Sequence, residues 1–212
     1  MEFERLLELV GNEPVFETAL LLAGKVNPTI IRLQLTRWTK SGRLYQLRRG
    51  LYALAPPYQK MKPHPFLIAN RMRRASYVSG QSALAFHGLI PDTVHVTSSV
   101  TADRPERLET PLGVFEFRHV KPELLRGYRM TDLGGQHALV ATPEKALLDL
   151  VYLQPGGDAP EYLRELRLQN LERIDPDELH GQARTFNTPK LFRSAQAIAQ
   201  LRQTETEEYE TL

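Results

Sequence analysis

Between Thr18 and Pro91 the chain carries twelve basic residues and not one Asp or Glu. They are Lys25, Arg32, Arg37, Lys40, Arg43, Arg48, Arg49, Lys60, Lys62, Arg71, Arg73 and Arg74. Guanidinium and ammonium groups massed in this way suit the neutralisation of phosphates, with release of the counterions condensed on them. From Asp92 onward the chain is acidic overall and ends in TETEEYETL, although the net charge of the whole is only +2. Such asymmetry between halves fits a protein one part of which meets a polyanion, and it fits equally a solvated basic face with no partner. Other chemistry is hard to find. There is no cysteine, and the six histidines have no metal-ligand spacing. His95, His119 and His137 fall on predicted strands and could converge, but strand histidines are mostly structural. No nucleophile elbow, Walker loop or dinucleotide fingerprint is present, and the acids read as isolated surface charges rather than close pairs. The expectation is therefore no catalytic residue, no metal, no cofactor and no enzymatic activity.

The basic residues need elements to present them. FERLLELV at 3–10 has the period of a short amphipathic helix stopped by Gly11-Asn12, and VFETALLL at 15–22 reads as a second helix closed by Ala23-Gly24. Asn27 is a favourable N-cap and Pro28 fits the first helical position, so a third helix runs from Pro28 to about Ser41, with Gly42 just beyond its end. Its 3.6-residue period puts Ile31, Leu35 and Trp38 inward, flanked by Ile30 and Gln34. Thr29, Leu33, Thr36 and Lys40 lie on the opposite face, with Arg32 and Arg37 at its edges. That wet face has Thr, Arg and Lys and no acid, which suits a DNA groove. RLYQLRRGLYAL follows at once. Arg43–Arg48 and Leu51–Leu54 read as two strands of a hairpin turning near Arg49-Gly50, with Leu44, Leu47 and Tyr52 toward the helices and the Arg48-Arg49 tip outward. Three helices and a basic-tipped hairpin make a winged helix-turn-helix, whose third helix enters the major groove while the wing lies on the backbone or minor groove. The expected DNA-binding residues are Thr29, Arg32, Thr36, Arg37, Lys40, Arg48 and Arg49, extended by Arg71, Arg73 and Arg74. If six of these cations neutralise phosphates, the log–log salt slope is about −5.

The chain divides into a DNA-binding domain at 1–56, a proline-rich linker at 57–65, and a second domain at 66–212 with a helical C-terminal extension. In the second domain, FLIANRMRRA is helical, YVSGQSALAFHGLI is a strand or turn entering a helix at Ser79–His87, and VHVTSSV, VFEFRHV and HALVATP have the period of strands. TADRPERLETPLG between the first two strands reads as a polar loop. Thr142-Pro143 opens a helix to Leu153 with Ala146, Leu147, Leu150 and Tyr152 buried. Further helices are expected at Pro160–Leu171, from Pro176 to His180 or a little beyond, and from Pro189 to about Gln203. Ala195–Leu201 suits either a dimer helix or the domain core. The fold class is α+β: an N-terminal winged helix-turn-helix followed by a mixed α/β domain. No apolar run approaches the roughly 20 residues of a membrane span, and MEFERLLELVGNEP carries acids where a secretory signal needs bases. A soluble, cytoplasmic protein is expected.

Ser79-Gly80-Gln81-Ser82 loosely echoes the turn of nucleotidyltransferase-fold enzymes. Where their metal-binding acids belong, this chain reads His95-Val96-Thr97-Ser98-Ser99. Without carboxylates a two-metal phosphoryl transfer has no cage. The better resemblance is to the AbiEi-type antitoxins of bacterial abortive-infection toxin–antitoxin systems. It is carried by LTRWTKSGRLYQLRRGLYAL at 35–54, YVSGQSALAFHGL at 77–89, the VHVTSSV strand, and VATPEKALLDLVYL at 140–153, and covers most of residues 10–155. The helices after 158 are not part of it. The resemblance implies a repressor of its own operon that binds operator DNA and counters an adjacent nucleotidyltransferase toxin without a stable complex. A dimer on inverted-repeat DNA is compatible with it. The rival readings are a winged-helix regulator with a small-molecule-sensing second domain and a nucleotidyltransferase-fold enzyme.

Overall fold

The computed structural model describes residues 1–23 and 26–210, the last seven of these by backbone alone. Gly24, expected to help close the second helix, Lys25 of the basic run, and the side chains of the acidic tail from Thr204 lie outside the described residues. Helix α1 (Phe3–Val10) buries Phe3, Leu6 and Val10 and stops at Gly11, whose φ of +58° favours glycine. The helix expected at 15–22 is divided. Phe16–Glu17 forms a short strand, β1, and only Thr18–Leu21 is helical, as α2. Phe16 pairs with Tyr52 across the sheet, and the Thr18 N–H donates to the Gly50 carbonyl at 2.9 Å. These sheet-edge bonds override a local pattern that also suited a helix. Helix α3 (Pro28–Lys40) and strands β2 (Leu44–Arg48) and β3 (Leu51–Leu54) follow as expected, giving a three-stranded sheet of order β1-β3-β2.

All four residues of β3 are buried, so both faces of that strand are covered. Tyr52 and Leu54 face a core with Phe3, Leu6, Val10, Phe16, Leu21, Ile31, Leu35 and Leu44. Leu51 and Ala53 point the other way, with Val15 and Leu47, into the core of the rest of the chain. Leu47 was expected to face the helices. The ladder shifts between Gln46 and Arg48, and Leu47 packs with the second unit instead. Residues 57–65 connect the units and are fastened down. Pro63 is buried, the His64 N–H donates to Gln136 Oε1 at 2.8 Å, and Gln136 Nε2 donates to the Lys62 carbonyl at 2.9 Å.

The second unit is a mixed α/β fold. After α4 (Pro65–Met72) come β4 (Ser76–Val78), α5 (Gly80–Phe86), β5 (Val96–Thr101), β6 (Glu106–Thr110), β7 (Gly113–His119), β8 (Tyr128–Asp132) and β9 (His137–Ala141). The six strands are ordered β6-β7-β5-β4-β9-β8; β5 with β7 and β4 with β9 are parallel pairs, the rest antiparallel. β6 lies in the stretch expected to be a polar loop, and β8 had no counterpart among the expected strands. Both are sheet edges with mostly exposed residues, so neither carries an apolar alternation. Helices α6 (Pro143–Leu153), α7 (Pro160–Glu165), α8 (Pro176–Phe186) and α9 (Pro189–Glu210) complete the chain. α7 is shorter than expected: Arg167 and Asn170 have positive φ, which no continuing helix allows. Ala195 and Ile198 of α9 are fully buried in the domain core, leaving Leu201 partly exposed. Among the described residues no helix is long and apolar enough to cross a membrane.

A strand shared between two cores couples their unfolding. Trp38, the only tryptophan, reports the first unit by fluorescence, while far-UV circular dichroism reports the whole chain. The two thermal transitions are expected to coincide. Leu47→Ala is expected to cost roughly 2–5 kcal/mol and to lower both midpoints together; a Trp38 transition that keeps its midpoint while the rest shifts would show independent units.

Candidate nucleic-acid interface

Helix α3 begins with the Asn27 side chain accepting the Thr29 N–H at 2.9 Å and with Pro28 in the first turn. Ile31 and Leu35 are buried beneath it, and Trp38 meets the Phe3 ring edge-on at 5.3 Å. Gln34 ties the helix to the N-terminus, its Nε2 donating to the Met1 carbonyl at 2.6 Å. Thr29, Arg32, Leu33, Thr36, Arg37 and Lys40 are exposed, as the helical period requires. Ile30 departs from expectation. It was placed beside the buried stripe, yet it is 52% exposed, and Leu33 is 50% exposed. Thr36 does not offer its hydroxyl proton outward: Oγ1 donates to the Arg32 carbonyl at 2.9 Å.

At the hairpin the two arginines part company. Arg49 is exposed at the turn beside Gly50, whose φ is +85°. Arg48, expected to project with it, instead donates through Nη1 to the Met72 carbonyl at the end of α4. The tip thus closes one side of an open groove of about 590 Å³ lined by Arg48, Arg49, Arg71, Arg73 and Arg74. The groove is less basic than that list suggests, because Glu17 and Asp103 line it too.

Arg71, Arg73 and Arg74, expected to extend the basic surface, each have a carboxylate partner. Arg74 Nη2 lies 2.8 Å from both oxygens of Glu17, which raises the already high guanidinium pKa. Arg73 bonds Asp103 at 3.2 Å and also Glu106, with its guanidinium over the Phe117 ring, and its side chain is only 20% exposed. Arg71 lies 3.9 Å from Glu13. The sequence between Thr18 and Pro91 lacks acids, but the fold brings these carboxylates in from outside that window. Arg32, Arg37, Lys40 and Arg49 have no acidic partner among the described residues.

The expectation that acids are isolated on the surface is overturned in the second unit. Lys145 and Asp149, both with fully buried side chains, pair at 2.5 Å one turn apart on α6. Asp149 also accepts from the Tyr77 hydroxyl at 3.0 Å and the Ser79 hydroxyl at 2.7 Å. The Lys145 ammonium sits 4.3 Å above the Phe186 ring. Burial pushes Lys145 down and Asp149 up, and their mutual attraction opposes both shifts. A signal was present in the sequence: Lys and Asp at i and i+4 within the apolar run of EKALLDLVYL. The Ser79-Gly80-Gln81-Ser82 turn is thereby tied up in structure. Ser79 serves Asp149, while Ser82 donates to the Val96 carbonyl and accepts the Ser98 N–H. A small cavity of about 70 Å³ touches Ser79, Asp149, Ser99 and Glu116. His119 and His137 stand on β7 and β9, with β5 and β4 between them, and His95 precedes β5, so the three do not converge. Among the described residues no three His, Asp or Glu could jointly hold a metal ion.

Compared with family models and with curated proteins, the chain matches none.

Removing one partner of a buried ion pair strands the other. Asp149→Ala is expected to cost about 3–5 kcal/mol in denaturant titrations, whereas Lys145→Met with Asp149→Leu is expected to be far milder. Equal losses for the single and double variants would mean that the cost comes from packing rather than from an uncompensated charge.

Proposed function

We propose that the chain is a DNA-binding transcriptional repressor whose residues 1–56 act as a winged helix-turn-helix, with α3 as the recognition helix and the β2–β3 hairpin as the wing. The observation that carries this reading is the exposed face of α3: Arg32, Arg37 and Lys40 around Thr29, Leu33 and Thr36, with no acid on the helix. The element order α1-β1-α2-α3-β2-β3 and the unpaired Arg49 at the hairpin turn support it. In this arrangement α3 lies in the major groove, Arg32, Arg37 and Lys40 reach phosphates or base edges, and Arg49 contacts the flanking backbone.

The resemblance to AbiEi-type antitoxins supports the biological half of the proposal: repression of the chain's own operon and antagonism of a nucleotidyltransferase toxin encoded beside it. The protein is then a cytoplasmic regulator and not an enzyme. The buried network around Asp149 lies within two of the segments that carry the resemblance, 77–89 and 140–153, and it reads as scaffolding for that domain, because the Lys145 and Asp149 side chains are solvent-inaccessible and the cavity of about 70 Å³ beside Asp149 is too small for a substrate.

Fluorescence anisotropy tests the DNA half, using the fragment upstream of the gene against a scrambled one across a salt series. With Arg71, Arg73 and Arg74 already paired and Arg48 held on the Met72 carbonyl, four free cations predict a log–log slope of about −3.5, shallower than the −5 of six contacts. Arg49→Ala is expected to reduce the slope by about one. Equal binding to both fragments, or a flat salt response, overturns the repressor reading. For the antitoxin half, the neighbouring open reading frame is expected to arrest growth alone and to be tolerated when this chain is co-expressed. A neighbour that is harmless alone removes that half.

A further inference from the structure

Helix α3 exposes apolar groups where base-reading helices often carry amides or carboxylates. Leu33 lies nearly opposite Ile31 and Leu35, at the centre of the outward face, and half of it is exposed. Ile30 is exposed to the same degree on one flank. Thr36 lies exposed on the other, and because its hydroxyl proton is committed to the Arg32 carbonyl, it offers a methyl and a hydroxyl oxygen that only accepts. No Asn, Gln, Asp or Glu is exposed on this helix; its one amide, Gln34, is partly buried against Met1. Ile30 and Leu33, one helical turn apart, make a small exposed apolar strip on this face.

We propose that this face reads thymine. Leu33, flanked by Ile30 and the Thr36 methyl, contacts thymine 5-methyl groups in the major groove, while Arg32, Arg37 and Lys40 hold the phosphates or guanines on either side. The inference rests on the DNA-binding reading above and assigns its sequence preference. Charge selects the occupant. Three cations and no acid surround the apolar strip, which complements a duplex. A second copy docked isologously through the same face would set Arg32, Arg37 and Lys40 against their own counterparts. The chemistry is matched as well, since the thymine methyl is the apolar group on the major-groove edge and an aliphatic side chain can gain from burying it. The preferred site is therefore one with thymines at the centre of the helix footprint.

The test compares the upstream fragment with the same fragment synthesised with uracil in place of every thymine, which removes only the methyl groups. The wild-type protein is expected to bind the uracil fragment about fourfold more weakly for each methyl contacted. Leu33→Ala, at an exposed position where folding is not at stake, is expected to bind both fragments alike with an unchanged salt slope. Equal binding of thymine and uracil fragments by the wild-type protein overturns the inference and leaves DNA binding intact. Discrimination that persists in Leu33→Ala overturns the role given to Leu33. Failure to bind either fragment removes the DNA-binding reading, and this inference with it.

Discussion

The constraint on which the rest depends is that β3 is buried on both faces. A four-residue strand alternates Leu51 and Ala53 into the large core with Tyr52 and Leu54 into the small one. Because side chains alternate strictly along a strand, a one-residue slip would exchange the two sets and spoil both cores at once. The first unit is thus held in one orientation against the second, and the Arg48 bond to the end of α4 crosses the same seam. On the proposed function, a rigid seam means that the second unit sets the angle at which α3 is offered to DNA.

Inside the second unit, polar interactions do the work that close packing alone leaves undone. Asp149 gathers Lys145 from its own helix, Tyr77 from β4, a central strand, and Ser79 from the junction between β4 and α5. A charge so deeply buried is tolerable only with its donors in place, so the network fixes how α6 seats on the sheet. Nearby, His87 at the end of α5 bonds the Ala141 carbonyl at 2.8 Å, joining the same two sequence segments again. The segments 77–89 and 140–153 are therefore one structural feature seen twice in the sequence.

Electrostatics were redistributed by folding. A window of twelve cations without an acid looks uniformly basic along the chain, yet Glu13, Glu17, Asp103 and Glu106 come from either side of it to meet Arg71, Arg73 and Arg74. The exposed pairs of Arg71 and Arg74 add little stability. Their effect is to lessen the positive potential of the groove and leave the unpaired cations on α3 and at Arg49.

The sequence alone was enough to define α3 to the residue at its start, because Asn27 and Pro28 act locally through the geometry of the first turn. The β2–β3 hairpin and α6 were legible for the same reason, as was the α+β class, since hydrophobic period is a local property. Tertiary structure decided everything that depends on what lies across the molecule. It turned Phe16–Glu17 into a strand by offering a sheet edge. It made strands of the polar stretches at 106–110 and 128–132, which as sheet edges need no apolar face. It sent Leu47 to the other core through a register shift, and it exposed Ile30, which periodicity had set beside the buried stripe. It also chose which arginines are paired, because Coulomb partners are set by distance in space, and sequence spacing fixes that distance only within a turn or two of one helix.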